Sequence, residues 1–438
     1  MIWNENKECM SRDEMTALQS SRLVKIVDYV YHNVEFYRKK MQKLDLMPSD
    51  IKGVEDIAKL PFTTKDDLRD NYPFGLFAVP KSQIVRVHAS SGTTGKATVV
   101  GYTRRDLDVW AECVARCFTM AGVSREDIIQ VGYGYGLFTG GLGAHYGAEK
   151  IGAMVVPMST GNSKKLIAMM LDFGVSAIAC TPSYLLHIAE ILEKENKIGE
   201  LKLKTAICGA EPWTEKMRLE IENKLHISAH DIYGLSEVMG PGVACDCLFH
   251  KGLHVCEDHF YPEIVSSDTL KPVPDGTTGE LVFTTLTKEG LPLIRYRTKD
   301  LTSLDRSVCE CGRTSARISR FKGRVDDMLI IRGVNVFPSQ VEAALLEVEE
   351  LSPHYMIIVD RINNLDTLEI QVELKDAYFS DEIRGLETLT KKVGHVINQN
   401  LGLNAKIKIV EPQTLNRSDG KSVHVIDNRK IYQENQGV

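Results

Sequence analysis

No uninterrupted apolar run in this sequence approaches the roughly 20 residues that cross a bilayer, and no block of Lys or Arg stands out from its surroundings. A membrane span is therefore not expected. Neither a nucleic-acid groove nor an anionic membrane surface suits a chain of net charge −6. The opening residues, Met1-Ile2-Trp3-Asn4-Glu5-Asn6-Lys7-Glu8, lack the basic start and apolar core of a secretory signal, so the expected compartment is the cytoplasm. Internal repeats and low-complexity tracts are missing as well.

What is there describes an ordinary globular chain, 43% apolar and 26% charged, whose 438 residues exceed one compact core. Residues 11–43 carry helical apolar spacing (Leu18, Val24, Val27, Val30, Val34, Tyr37, Met41) and predict one or two helices. From Asp127 onward, short apolar runs at residues 127–131, 153–156, 177–179, 205–208 and 227–233 alternate with helical stretches such as 182–194 and 213–225. That alternation predicts an α/β fold with mostly parallel sheets flanked by helices. Residues 277–305 hold strand-like runs without a helix and predict a small β-rich subdomain. After Phe321 the pattern restarts as α+β. Strands are expected at 354–360, 368–374 and 407–410, with a helix capped by Ser380, faced by Ile383, Leu386, Leu389, Val393 and Ile397, and followed by Gly402. The expected division is a large N-terminal domain, residues 1–322, and a smaller mobile C-terminal lid, residues 323–438.

Of ten cysteines, Cys9, Cys113, Cys117, Cys180 and Cys208 are scattered through apolar stretches, where small buried thiols are common. Cys245, Cys247, Cys256, Cys309 and Cys311 are bunched, which in a cytosolic chain suggests metal before disulfide. Structural zinc takes four Cys/His donors, and the expected set is Cys247, His254, Cys309 and Cys311, with Cys245, His250 and Cys256 in reserve. Reduced cysteines beside a hydrogen-bonded histidine are the alternative.

The sharpest local signal is Ser90-Ser91-Gly92-Thr93-Thr94-Gly95-Lys96. Glycines let the backbone approach an anion, hydroxyls and amides donate to phosphate oxygens, and Lys96 adds charge. A Walker A loop would need Gly in place of Ser90 and Ser or Thr in place of Ala97, so a P-loop kinase is excluded.

With these residues the chain resembles the adenylate-forming superfamily of acyl-CoA synthetases and luciferases. Four more stretches continue the resemblance in order: Tyr233-Gly234-Leu235-Ser236-Glu237, Tyr296-Arg297-Thr298-Lys299-Asp300, Gly323-Arg324-Val325-Asp326-Asp327, and Arg417-Ser418-Asp419-Gly420-Lys421. Residues 233–243, 252–264 and 332–338 resemble its phenylacetate–CoA ligase branch nearly word for word. The resemblance implies ATP-dependent ligation of phenylacetate, or a related aryl-acetic acid, to coenzyme A through an acyl-adenylate, in a homodimer.

By the same resemblance the loop from Ser90 to Lys96 holds the β- and γ-phosphates, and Glu237 binds Mg²⁺. Asp300 accepts the ribose hydroxyls. Asp231, Tyr233, Gly234 and Ser236 line the nucleotide, as do Gly209, Ala210 and Glu211, with Gly209 also bordering the acyl group. Arg324 holds phosphate, Asp326 is the hinge, and Lys421 enters the site only for adenylation. Without the motifs, Glu237 would read as a solvated or capping acid and Asp300 as a surface turn acid. The run Gly132-Tyr133-Gly134-Tyr135-Gly136-Leu137-Phe138 offers clearance and rings for an aromatic acid, with Tyr135 and Phe138 set against it. A glycine-rich turn with core aromatics is the other reading. Loading of an aryl acid onto a carrier protein, or nucleotide sensing without catalysis, would share the ATP motifs.

Overall fold

The computed structural model describes residues 1–90, 97–325, 329–332, 334–362, 365–378, 383–415 and 424–429. A one-turn helix, Glu5–Glu8, precedes two longer ones, Arg12–Asn33 and Glu35–Lys43. Ser11 sets the first of these two: its hydroxyl accepts from the Glu14 amide while the Glu14 carboxylate accepts from the Ser11 amide. The buried stripe runs through Met15, Leu23, Ile26, Val27 and Val30, while Leu18 and Val24 are only half-buried beside it.

Strands β1 (Arg86–Ala89) and β2 (Val99–Tyr102) form an antiparallel hairpin. Strands β3 (Ile128–Val131), β4 (Met154–Val156), β5 (Ala177–Cys180), β6 (Thr205–Gly209) and β7 (Ser228–Leu235) then alternate with the helices Thr139–Ile151, Ser163–Asp172, Pro182–Lys194 and Glu215–Leu225. All five pair in parallel, as the alternation predicts. Covered by helices, β5 and β6 are buried along their whole length, which explains their unbroken apolar runs.

Strands β8 (Gly240–Asp246) and β9 (Leu253–Val255) return antiparallel beside β7. Strands β10 (Phe260–Val265), β11 (Gly279–Thr285) and β12 (Tyr296–Thr302) build the expected helix-free β unit. Short strands β13 (Leu304–Asp305) and β14 (Arg317–Ile318) rejoin the large sheet, and β15 (Gly323–Arg324) pairs with β12. Among the described residues the large sheet has the order β13-β14-β9-β8-β7-β6-β5-β3-β4 and the second β10-β11-β12-β15.

Strands β16 (Leu329–Ile331) and β17 (Val334–Val336) pair antiparallel. Strands β18 (Leu351–Ile362), β19 (Leu365–Leu374), β20 (Lys406–Val410) and β21 (Val425–Asp427) form a mixed sheet in the order β20-β19-β18-β21. The helices Pro338–Leu345 and Ile383–Leu401 cover it around a separate core that includes Leu345, Ile357, Ile370, Val393 and Ile397. Gly402 ends the second helix at φ +69°, a conformation that favours glycine; Ser380 lies outside the described residues. Leu386, placed on the apolar face by spacing, is exposed. This unit rests on the larger one through His354 Nε2, 3.0 Å from Glu190 Oε1, and Lys216 Nζ, 3.4 Å from the Ala343 carbonyl. Among the described residues, no helix is long and apolar enough to cross a membrane.

Candidate active site

Parallel strands bring their carboxyl ends to one edge of a sheet, and ligands settle in the loops beyond that edge. Here the segments after β3 and β7 meet the β1–β2 hairpin. The Ala89 amide donates to the Leu137 carbonyl at 3.0 Å, and His88 Nδ1 lies 3.0 Å from the same oxygen. Thr139 Oγ1 and Ser236 Oγ are 3.1 Å apart and join the loop after β3 to the turn after β7. That turn is too tight for any other residue at Gly234, because a Cβ there would stand 1.8 Å from the Gly240 carbonyl oxygen.

Glu237 stands in this turn, 6% exposed. Its Oε1 accepts from the Thr98 hydroxyl at 3.1 Å, and Thr98 Oγ1 lies 2.9 Å from Ser90 Oγ. The Thr98 amide donates to Ser90 Oγ at 3.0 Å, and the Ser90 amide to the Thr98 carbonyl at 3.0 Å. The base of the glycine-rich loop is therefore bonded to the one carboxylate that the motif singles out. Lys65 Nζ adds a cation 3.9 Å from Glu237 Oε1. Ser91, Gly92, Thr93, Thr94, Gly95 and Lys96 lie outside the described residues, as do Asp326 and Lys421.

Beneath the turn sits Lys288, 1% exposed. Its ammonium donates to the Val238 carbonyl at 2.8 Å and the Glu237 carbonyl at 3.4 Å, and stands 4.6 Å from the Tyr102 ring centroid. The Tyr102 hydroxyl donates to the Met239 carbonyl at 2.8 Å. Thr98, Tyr102 and Lys288 escaped sequence reasoning. Lys288 lies in Thr287-Lys288-Glu289-Gly290, which reads as a polar turn and carries no sign of burial.

A second carboxylate, Asp300 on β12, is buried. Its Oδ2 accepts from the Tyr233 hydroxyl at 2.6 Å and its Oδ1 from the Arg324 guanidinium at 2.8 Å. The Tyr233 ring packs on Phe321 at 4.5 Å and on Phe283 at 6.3 Å between centroids. Asp231, two residues before Tyr233 on β7, is buried, and burial pushes its carboxyl up to about 6.

Gly209 ends β6, where a Cβ would meet the Ile232 carbonyl oxygen at 2.2 Å. Ala210 follows at φ +72°, and Glu211 Oε1 accepts from the Ser183 amide at 2.8 Å, at the start of the helix Pro182–Lys194. Tyr135 is half-buried, its hydroxyl 3.2 Å from His145 Nδ1, whereas Phe138 is exposed. The structure thus brings Ser90, Glu237, Ser236 and Gly234 together, and Tyr233, Asp300 and Arg324 together beside them.

Away from this edge, Cys247, His254, Cys309 and Cys311 converge. The reserve residues lie elsewhere. The Cys245 thiol donates to the Cys117 carbonyl at 3.5 Å, Cys256 sits beside Cys113 and Cys117, and His250 Nδ1 is 2.6 Å from Asp246 Oδ2.

Residues 27–286 match the family of AMP-binding enzymes, and residues 333–429 match the AMP-binding enzyme C-terminal domain. The chain is 51% identical to a phenylacetate-coenzyme A ligase of Escherichia coli (strain K12), over 97% of each chain. It is 47% identical to one of Thermus thermophilus, over 98% of this chain and 100% of that one. The chain belongs to the phenylacetate–CoA ligase family. Among solved structures, 2-hydroxyisobutyryl-CoA ligase in the postadenylation state in complex with 2-HIB-AMP superposes with a TM-score of 0.92 at 29% identity, covering 98% of this chain and 93% of that one. The same ligase with 2-HIB-AMP and CoA in the thioesterification state gives 0.72 at 30% identity, over 99% and 94%. As a member of this ligase family, the chain holds its two units in an arrangement nearer the first state than the second.

Burial pushes the Lys288 ammonium down to about 8 from its ordinary 10.5. Below pH 8 both folded and unfolded chains carry the proton, and the penalty of burying the charge is fully present. Between about 8 and 10.5 the unfolded chain holds more protons, so folding is favoured increasingly as pH rises, by up to about 3 kcal/mol at this one residue. Denaturant titrations at pH 7.5 and pH 10 are expected to show the protein gaining stability relative to its Lys288→Met variant. A difference independent of pH contradicts a buried ammonium.

Proposed function

We propose that this protein ligates phenylacetate, or a closely related aryl-acetic acid, to coenzyme A, using ATP and passing through an acyl-adenylate, with release of AMP and pyrophosphate. Identity of about one half, over nearly the whole chain, to ligases of that activity carries the proposal. The chemistry of the sheet edge supports it.

Activating a carboxylate means bringing its oxygen in line with the α-phosphorus of ATP while pyrophosphate leaves, so two anions must be held together. In this reading the loop from Ser90 to Lys96 receives the β- and γ-phosphates. Glu237, flanked by the Thr98 and Ser90 hydroxyls, supplies the hard oxygen donors that Mg²⁺ takes, and the ion would offset phosphate charge. Asp300 receives the ribose hydroxyls, for which a carboxylate already engaged by Tyr233 and Arg324 must release or share a lone pair. Tyr233, backed by Phe321, gives the nucleotide an aromatic wall, and Gly209 leaves room between it and the acyl group. Tyr135 and the exposed Phe138 face the acid on the loop after β3. Lys421 neutralises the acid and the α-phosphate in the first half-reaction only. Asp326 is the pivot about which residues 323–438 turn, so that the CoA thiol can attack the acyl carbon and AMP can leave.

A pyrophosphate-exchange screen across aryl acids tests the substrate class. Exchange with phenylacetate and thioester formation only when CoA is added are the expected results; thioester on a carrier protein in place of CoA redirects the reading to carrier loading. Lys421→Ala is expected to slow adenylation by about 100-fold or more, yet to spare thioester formation from preformed phenylacetyl-adenylate. Equal loss of both half-reactions removes Lys421 from that role. Asp326→Pro is expected to stall one half-reaction and leave the other, and a variant with full turnover in both disposes of the pivot.

A further inference from the structure

Four side chains that no step of the ligation uses meet at the β9–β14 side of the large sheet. Cys247 follows β8, His254 lies in the middle of β9, and Cys309 and Cys311 stand in the turn between β13 and β14. Their donor atoms all lie within 4.8 Å of one another. We propose that Cys247, His254, Cys309 and Cys311 bind one structural Zn²⁺ ion.

The geometry is that of a tetrahedron's edges. With Zn–S of about 2.3 Å and Zn–N of about 2.0–2.1 Å, two thiolates on one zinc stand about 3.8 Å apart, and a thiolate and an imidazole nitrogen about 3.6 Å apart. Cys247 Sγ and Cys309 Sγ are 3.8 Å apart, and Cys311 Sγ and His254 Nε2 are 3.4 Å apart. Two thiols can meet at such a distance by hydrogen bonding alone. Four donors converging in this way, one of them an imidazole, offer the set that a single tetrahedral ion takes.

The surroundings fit as well. His254 is fully buried, and its other ring nitrogen, Nδ1, lies 3.0 Å from Ser315 Oγ. With the proton on Nδ1 donated to Ser315, the Nε2 lone pair faces the three sulfurs, which is how ligating histidines are commonly oriented. Cys247 and Cys309 are buried and Cys311 is half-buried, so four protein donors close the site and leave no position for a substrate. The turn is shaped to present both sulfurs: the Gly312 amide donates to the Cys309 carbonyl at 2.9 Å, Gly312 lies at φ +87°, and the Cys309 amide donates to the Arg313 carbonyl at 3.0 Å.

The ion would fasten two distant parts of the chain. From the same turn, Arg313 Nε reaches Glu8 Oε2 at 2.6 Å and the Thr314 amide reaches the Glu8 carbonyl at 3.1 Å, anchoring the N-terminal segment. Beyond the turn, β14 runs on to Phe321 against Tyr233 and to Arg324 on Asp300. Zinc therefore secures the strand that approaches the nucleotide site, without touching it.

A neighbouring group, His230, Asp246 and His250, serves as the control. His250 is already bonded to Asp246, and the two imidazole rings stack at 4.9 Å. The test is metal analysis by mass spectrometry on full-length protein purified without chelator, together with exchange of Co²⁺ for the resident ion. About one zinc per chain is expected, with a cobalt form showing thiolate-to-metal charge transfer and tetrahedral d–d bands. Cys309→Ser with Cys311→Ser should abolish both signals, whereas His250→Ala should keep them. Should the double variant fail to fold, Cys311→Ser alone should release zinc to a chromogenic chelator at least tenfold faster than the parent protein. Protein without stoichiometric metal and without the cobalt bands overturns the proposal. So does zinc that survives the cysteine substitutions, or that leaves with His250.

Discussion

The turn between β7 and β8 is held by a charge that has no water around it. Lys288 lies beneath Glu237 and Val238, donates to both of their carbonyls, and faces the Tyr102 ring. An ammonium without solvent is costly, and that cost lowers the Lys288 ammonium to about 8. Bonds to two carbonyls and a contact with the ring face offset part of it. The arrangement fixes the backbone from which the Glu237 side chain reaches Thr98, and through Thr98 the base of the Ser90 loop. The Glu237 main chain is thus held from one side and its side-chain oxygen from the other.

Much of this was legible in the sequence, for physical reasons that differ from element to element. The parallel strands β3 to β7 could be read because strands covered on both faces need continuous apolar runs, and the helices between them need a different period. The motif around Gly234 was read by its resemblance to the family, and the fold gives that glycine a reason: a side chain there would collide with the Gly240 carbonyl. Lys288 could not be read, since a lysine in a polar turn looks solvated until distant chain, Tyr102 and Val238, is folded over it. The helix stripe at Arg12–Asn33 was offset from the spacing reading because its neighbours bury Leu23 and Ile26 and leave Leu18 and Val24 at the margin. The bunched cysteines posed a similar problem. Sequence separates Cys245 from Cys247 by one residue, yet the fold sends the first toward Cys117 and the second, just past the end of β8, toward Cys309.

The two carboxylates differ in how they are restrained, and the difference bears on how two half-reactions share one site. Among the described residues, Glu237 is bonded to Thr98 of the large unit, with Lys65 nearby. Asp300 is bonded to Tyr233 of the large unit and to Arg324, which stands at the point where the chain leaves for the smaller one. Strand β15 is two residues long and pairs with β12 through Asp300 and Leu301 alone. Arg324 thus ties Asp300 Oδ1 to the segment that leads into the smaller unit, and the Val325 amide adds a bond to the Lys299 carbonyl at 2.7 Å.

That asymmetry places the demand for rigidity where the fold meets it. The contacts of the smaller unit on the helices Pro182–Lys194 and Glu215–Leu225 include the polar pairs His354 with Glu190 and Lys216 with the Ala343 carbonyl, and the apolar Leu346 against the core behind those helices. The polar pairs can be exchanged for others at little cost, since water can replace each partner. Among the described residues, the buried apolar side chains of the smaller unit gather in its own core. A unit that turns about a hinge needs this distribution. Had the same apolar surface been shared across the boundary, burial at about 25 cal/mol per Å² would have locked one orientation, and a second half-reaction needing another face would have had no route to it.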